Sequence, residues 1–431
     1  MSVPPRSASE LPAFRWLCGI VRMLRPPVLL LLTAALTITS GCKTTEKVLD
    51  TAEKAVVSPT VRTVVGVATA KSPEAVIRKR LEGYARNPAR LVKDLRQAQR
   101  DYEALKKALT GKVSKTWGKK EVQLPDRTHY VKYTQNYKSR AIVDFDKGEV
   151  LVETLDTKDP QGSLKNALVT TLLTPDDPRA VDLFSDKGVT LTSDRNPYLL
   201  GLVLDQNGRS IRTPAEAEAF ADYLVANKKT TRPIKQDGGT KTAHVVSIDM
   251  VPNFSNKQAE KYRPQVSRYA EQYKVSPNLI FAIIRTESNF NPFAVSHAPA
   301  YGLMQLVPTS GGREAYRRAK GSDTTPSKEY LFNTDNNIEL GSALLNVLLY
   351  KQFEDVDNEV SREYCAISAY NTGLRNVLRT FSKDVVAAIN QINSLEPPAV
   401  YEKLRQNLPY QETRDYLVKV TSFRKQFISA Q

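Results

Sequence analysis

SPNLIFAIIRTESNFNPFAVSHAPAYGLMQ, residues 276–305, is the stretch from which the rest of the chain can be read. Ser276 is a good N-cap and Pro277 suits the first helical position. Leu279, Ile280, Ile283 and Ile284 recur at helical spacing, and Glu287 falls four residues beyond Ile283 on the same face. The spacing predicts a short helix that delivers one carboxyl to the apolar side. Asn291-Pro292 is expected to end it, because a proline disfavours helical geometry in the residue before it, so Glu287 belongs to the last turn. An anion there is opposed twice, by desolvation and by the helix macrodipole. A carboxyl kept protonated near neutral pH is a general acid. Read alone, Glu287 is as simply an ordinary helix-end glutamate, solvated or paired with Arg285 or Arg313.

Residues further along decide between these accounts. Glu287-Ser288, Asn291-Pro292, Gly302-Leu303-Met304-Gln305 and Ala369-Tyr370-Asn371 resemble, in order and spacing, the catalytic domain of the soluble-lytic-transglycosylase family. The resemblance implies an all-α, lysozyme-like fold with Glu287 as the sole catalytic acid/base. It also implies that Ser288, Gln305, Tyr370 and Asn371 line the same cleft and bind substrate. Leu303 and Met304 read as core. Tyr410, Glu412 and Tyr416 resemble the family's YxETxxY element, which adds Tyr410 and Tyr416 to the substrate-binding set. Glu412 is expected to pair with Arg414 or Lys419, or to stand as a distant second carboxylate. Thr372-Gly373-Leu374 departs from the paired glycines that often follow AYN, which bears on the loop and on no catalytic group.

Hydrolysing glycosidases commonly use two carboxylates. Between Asn289 and Arg313 there is no Asp or Glu, so the loops nearest Glu287 supply no partner. One acid can suffice if it protonates the bridging oxygen and then, as carboxylate, takes a proton from the sugar's own 6-hydroxyl. The product would be a 1,6-anhydro ring at a cleaved β-1,4 bond between MurNAc and GlcNAc, as the resemblance also implies. Tyr370 and Asn371 are candidate stabilisers of the developing positive charge, and the Gln305 amide is a candidate to orient an N-acetyl group. A lysozyme-type muramidase hydrolase and a noncatalytic wall-binding lipoprotein are the competing readings.

Composition sets the frame. A chain of 431 residues with 41% hydrophobic and 25% charged residues has the size of two or three domains and the balance of a soluble globular protein. Residues 1–41 read as a signal peptide: Arg6, Arg15, Arg22 and Arg25 precede an apolar run too short to span a bilayer, and small residues lead into Cys42. That ending resembles the lipobox of bacterial lipoproteins, although Thr39 stands where leucine is usual. The resemblance implies lipidation at Cys42, a membrane anchor and the periplasmic face of the outer membrane. With Cys18 removed and Cys42 lipidated, Cys365 is left without an intrachain partner and reads as a buried residue. His129, His244 and His297 are too scattered for a zinc site, and Leu340 occupies the position where a calcium loop starting at Asp335 needs glycine. No metal or cofactor is implied. Losing the leader lowers the formal charge from +16 to +13, since four arginines and Glu10 go with it. In an exported protein such charge faces murein carboxylates and lipid phosphates, so peptidoglycan strands are the expected partner and nucleic acid is not.

Residues 42–71 read as a tether, and residues 72–252 as a noncatalytic α+β domain with an antiparallel sheet. Within the domain, 72–109 read as a charged helix broken near Asn87-Pro88. Residues 129–133 read as a strand, and residues 140–145 and 149–154 as a hairpin turning at Gly148. Helices are expected over 163–173 and 213–226 and a strand over 241–251. The stretch SRAIVDFDKGEVLVETL, residues 139–155, resembles the N-terminal domain of the membrane-bound lytic murein transglycosylase C family. Residues 253–431 are expected to form the catalytic domain. Its helices are read over 256–274, 276–290, 336–350, 362–370, 384–392 and 413–427, with a loop at 309–312 and a break at Pro397-Pro398.

Overall fold

The computed structural model describes residues 88–191, 195–236, 238–296 and 300–427. The expected signal peptide, the tether with Cys42, and the start of the charged helix lie outside the described residues. Helix α1 (Pro88–Trp117) runs past the expected end at Leu109. Leu109, Val113 and Trp117 recur every fourth residue and are buried against one face of a sheet.

The sheet has five antiparallel strands: β1 (His129–Thr134), β2 (Ser139–Asp144), β3 (Glu149–Thr154), β4 (Thr230–Gln236) and β5 (Gly239–Asp249), in the order β1-β2-β3-β5-β4. The β2–β3 register pairs Ser139 with Thr154 and Asp144 with Glu149. Gly148 takes φ 72 in the turn, a conformation that costs glycine little. Asp144 accepts the backbone N–H groups of Asp146 and Lys147, each at 2.9 Å, so it braces the turn and is largely buried, not solvent-facing. Strand β4 escapes a sequence reading because Pro233 interrupts it. The edge of the sheet, where β4 lies, is the place a strand tolerates proline. Strand β5 is shifted two residues earlier than expected.

Side chains alternate between two cores. Tyr130, Val143, Val150, Val152 and Val246 face helices α2 (Pro160–Leu172) and α3 (Pro214–Asn227), while Val131, Tyr133, Ala243 and Val245 face α1. Thr213 and Glu216 form a capping box at the start of α3.

From Phe254 onward the described residues contain helices and isolated bridges but no strand. Helix α4 (Phe254–Tyr273) buries Tyr262, Val266, Tyr269 and Tyr273 and leads into α5 (Pro277–Ser288). There follow α6 (Gly311–Lys320), α7 (Lys328–Phe332), α8 (Thr334–Val347), α9 (Glu359–Thr372), α10 (Leu374–Phe381), α11 (Val385–Asn393), α12 (Pro397–Asn407) and α13 (Gln411–Gln426). Two expectations fail here. The loop expected at 309–312 passes into helix at Gly311. Pro397-Pro398 opens α12 instead of breaking the chain, because the first helical turn has no N–H to lose to proline.

Candidate active site

Leu279, Ile280, Ile283 and Ile284 are completely buried on α5, which packs on α13 and α4. Glu287 follows on that face with only 6% of its surface exposed. Two details of the helix differ from the sequence reading. Ser276 occupies the N-cap position, but its side chain makes no capping bond; its carbonyl accepts from Leu279 and Ile280 instead. The helix stops before Asn291-Pro292, because Asn289 and Phe290 turn left-handed at φ 45 and 62. Asn tolerates that region; Phe does so rarely, and here its wholly buried ring is held among Tyr262, Phe281 and Phe427.

The turn ties the helix end to the sheet. Asn289 Nδ2 donates to the Asp146 side chain at 3.2 Å, Asn291 Nδ2 donates to the Arg127 carbonyl at 3.2 Å, and the Val295 N–H donates to the Asp126 carbonyl at 3.3 Å. Phe293 enters the sheet-side core, its ring 4.8 Å from Tyr130 and 5.1 Å from Tyr198.

The Gly302–Gln305 loop is fixed from three sides. Ser288 Oγ donates to Leu303 O at 2.8 Å, Tyr370 OH donates to Met304 O at 2.9 Å, and Asn337 bonds Met304 N and Tyr301 O, each at 2.8 Å. Gly302 has φ 76, and a Cβ there would sit 2.6 Å from Asn337 Nδ2, so no other residue fits. Leu303 and Met304 are fully buried.

These elements enclose a cleft of about 760 Å³ lined by Glu287, Gln305, Tyr370, Asn371, Tyr410 and Glu412, among others. Ser288 is wholly buried and does not line it; its hydroxyl is spent on backbone carbonyls. Tyr416 does not line it either. Its phenol donates to Glu287 Oε1 at 2.8 Å from within the core. Gln305 Nε2 donates to Ala294 O at 3.1 Å and Gly302 O at 2.9 Å, and its Oε1 is buried without a partner. Asn371 Oδ1 accepts from Thr413 Oγ1 at 2.7 Å. Tyr410 stands exposed at the rim.

Burial drives the Glu287 carboxyl up to about 7; the Tyr416 hydrogen bond and the Arg127 charge pull it partway back, and Glu412 pushes it up. Arg127 is the residue the sequence reading missed. It comes from the loop before β1, places Nη1 4.0 Å from Glu287 Oε2 and 3.6 Å from Glu412 Oε1, and lines the cleft. The expected partners lie elsewhere: Arg285 donates to Gln426, Arg313 pairs with Asp323, and Arg414 bonds Leu408 O and Gln411. No local pattern marks Arg127; only the folded sheet brings it here.

A buried carboxyl in a cleft of an α-helical unit, with a tyrosine on one oxygen, is the arrangement expected of a glycan-cleaving enzyme of the lysozyme-like class. Residues 265–393 match the family described as Transglycosylase SLT domain, and residues 87–261 match the N-terminal domain of membrane-bound lytic murein transglycosylase C. A protein of that name from Yersinia enterocolitica is 42% identical over 76% of this chain and 89% of its own length. Another from Klebsiella pneumoniae is 42% identical over 73% of this chain and 86% of its own. A solved lytic transglycosylase Slt from Pseudomonas aeruginosa aligns at 28% identity over 39% of this chain and 24% of that one, with a TM-score of 0.31, too low to carry an argument. The chain belongs to the membrane-bound lytic murein transglycosylase C family, and it is a lytic transglycosylase, a lyase.

Proposed function

We propose that the enzyme cleaves the β-1,4 bond between MurNAc and GlcNAc in peptidoglycan strands, with Glu287 as the one acid/base and without water. The carrying observation is a carboxyl buried in a cleft and raised to about 7, so that it holds a proton near neutral pH. Tyr416 occupies Oε1, which leaves Oε2 to face the glycosidic oxygen. Oε2 gives its proton to the departing GlcNAc O4 as the C1–O4 bond breaks. The carboxylate then takes the proton of the MurNAc 6-hydroxyl, whose oxygen closes on C1. Glu287 ends protonated, as it began. Arg127 supports the carboxylate between the two transfers.

The remaining cleft residues take binding roles. Gln305 lines the cleft and its buried Oε1 has no partner, so a small turn of the amide offers it to the N–H of an N-acetyl group. The bond from Thr413 leaves the Asn371 NH2 end for a sugar. Tyr410 at the rim offers a face for a sugar ring. Ser288 and Tyr416 act through others, the first by holding the Gly302–Gln305 loop and the second by holding Glu287. Lysozyme-type hydrolysis would need a second carboxylate to serve water. Glu412 is the other acid lining the cleft, and it is largely exposed and paired with Arg127. Mass spectrometry of muropeptides released from purified murein tests the reading. Products lighter by one water than the hydrolytic ones are expected, and Glu287→Gln should abolish them; hydrated reducing ends would establish hydrolysis instead.

The family's members are named membrane-bound. Among the described residues no helix is long and apolar enough to cross a membrane. We assign attachment to a lipid on Cys42 at the periplasmic face of the outer membrane, on the motif in the sequence. Cys42→Ala should move the protein from the membrane to the soluble fraction; retention in the membrane would refute the assignment.

A further inference from the structure

A second groove, of about 600 Å³, adjoins the cleft at Arg127. Arg127 and Ser296 line both spaces, so the groove continues the catalytic cleft. Thr286 and Asn289, on either side of the Glu287-Ser288 pair, line it. Its walls come from both halves of the molecule: Asp126 and Asp146 on the sheet side, Arg285, Lys419 and Phe423 on the helical side.

The charges in it are unevenly satisfied. Asp126 is engaged by His129 Nδ1 at 3.0 Å, a contact that lifts the imidazole to about 9 and keeps it cationic. Asp146 accepts from Asn289. Arg285 is half-buried, stacked 4.5 Å from the Phe423 ring, and its hydrogen bond goes to the neutral Gln426 amide at 2.6 Å. Among the described residues no carboxylate offsets its burial, which alone pulls its pKa down. Lys419, also in the lining, is exposed. A half-buried guanidinium without a counter-charge is costly unless a ligand supplies one.

We propose that this groove reads the carboxylates of the peptide carried by the glycan strand under cleavage, with Arg285 and Lys419 as the recognising cations. The proposal rests on the reaction assigned to Glu287. A MurNAc bound there carries its peptide on the lactyl group, and the continuity past Arg127 gives that peptide a path without leaving the protein. The aromatic wall of Tyr102 and Phe423 takes the apolar parts of the peptide.

The test compares murein glycan strands bearing peptides with the same strands stripped by an amidase, both digested by the full mature chain. Lys419→Glu and Arg285→Gln should lower kcat/KM on peptide-bearing relative to stripped strands by about tenfold each, the size of one lost charge-assisted contact, and mainly through KM. Arg285→Lys should recover part of the loss. Equal losses on both substrates would reduce these residues to structural ones and overturn the proposal, as would no change on either. Should the wild-type enzyme yield no anhydro ends from either substrate, the reaction assigned to Glu287 falls first, and the two failures are told apart by that product.

Discussion

Glu153 in the sheet and Glu287 in the helical half are both withdrawn from water, and the fold treats them in opposite ways. Glu153 is fully buried between two guanidiniums, with Arg140 Nε 2.6 Å from Oε2 and Arg232 Nε 2.6 Å from Oε1. Arg140 in turn stacks 4.0 Å from the Trp117 ring and donates to the Glu121 carbonyl at 2.6 Å. Glu287 receives one phenol, and its nearest cation stands 4.0 Å away. Complete pairing turns a buried acid into a fixed strut between α1 and the sheet. Incomplete pairing leaves an acid able to hold a proton or give it up, and that difference separates scaffold from chemistry.

The largest contrast comes from removing each charge. Glu153→Gln leaves Glu121 as the one carboxylate paired with both Arg140 and Arg232 and should cost about 3 kcal/mol of stability, read as a lowered denaturation midpoint. Glu287→Gln should have the reverse effect above neutral pH. An unfolded glutamate titrates near 4.5 and the folded one near 7, so the native state binds the extra proton between those values. That contribution is fully present below the window and is lost as pH rises through it. The glutamine variant should therefore gain on the order of 3 kcal/mol over wild type at pH 8 and nothing near pH 4, by thermal melts at the two values. Equal shifts at both would show that Glu287 is not held protonated.

A smaller change should follow from Tyr416→Phe. The lost hydrogen bond favours the carboxylate, so its removal raises the Glu287 value further and moves the alkaline limb of the rate profile to higher pH. Turnover should fall about tenfold, as expected for one hydrogen bond to a charged group. Arg127→Ala should move the same limb in the same direction by less, because the guanidinium is more distant and 42% exposed, and Arg127→Lys should restore part of it. A limb that moves to lower pH in either variant would reverse the electrostatic account.

The contrast also separates what a sequence discloses from what it withholds. The α5 face and the single carboxyl on it are local, written in the spacing of Ile283, Ile284 and Glu287. The β2–β3 hairpin is equally local, written in alternation about Gly148. Arg127 reaches Glu287 only because Asn291 and Val295 bind the chain beside it, a pairing of segments far apart in sequence. Tyr416 was legible as part of a motif, but its place behind Glu287 depends on how α13 packs on α5. Pro397 and Pro233 misled for one reason: a missing N–H costs nothing in a first helical turn or at a sheet edge, and periodicity does not reveal where those lie.

The ring of Phe293 gives the two halves a shared tenancy. Although it follows α5 in the chain, it lives in the hydrophobic interior of the other half, fully shielded. Expressing the helical half without the sheet half would leave that ring facing solvent at a cost of roughly 1.5–3 kcal/mol and slacken the turn that holds Glu287. The helical half is therefore a poor candidate for life as an autonomous module, and the sheet half is part of the tool rather than its handle.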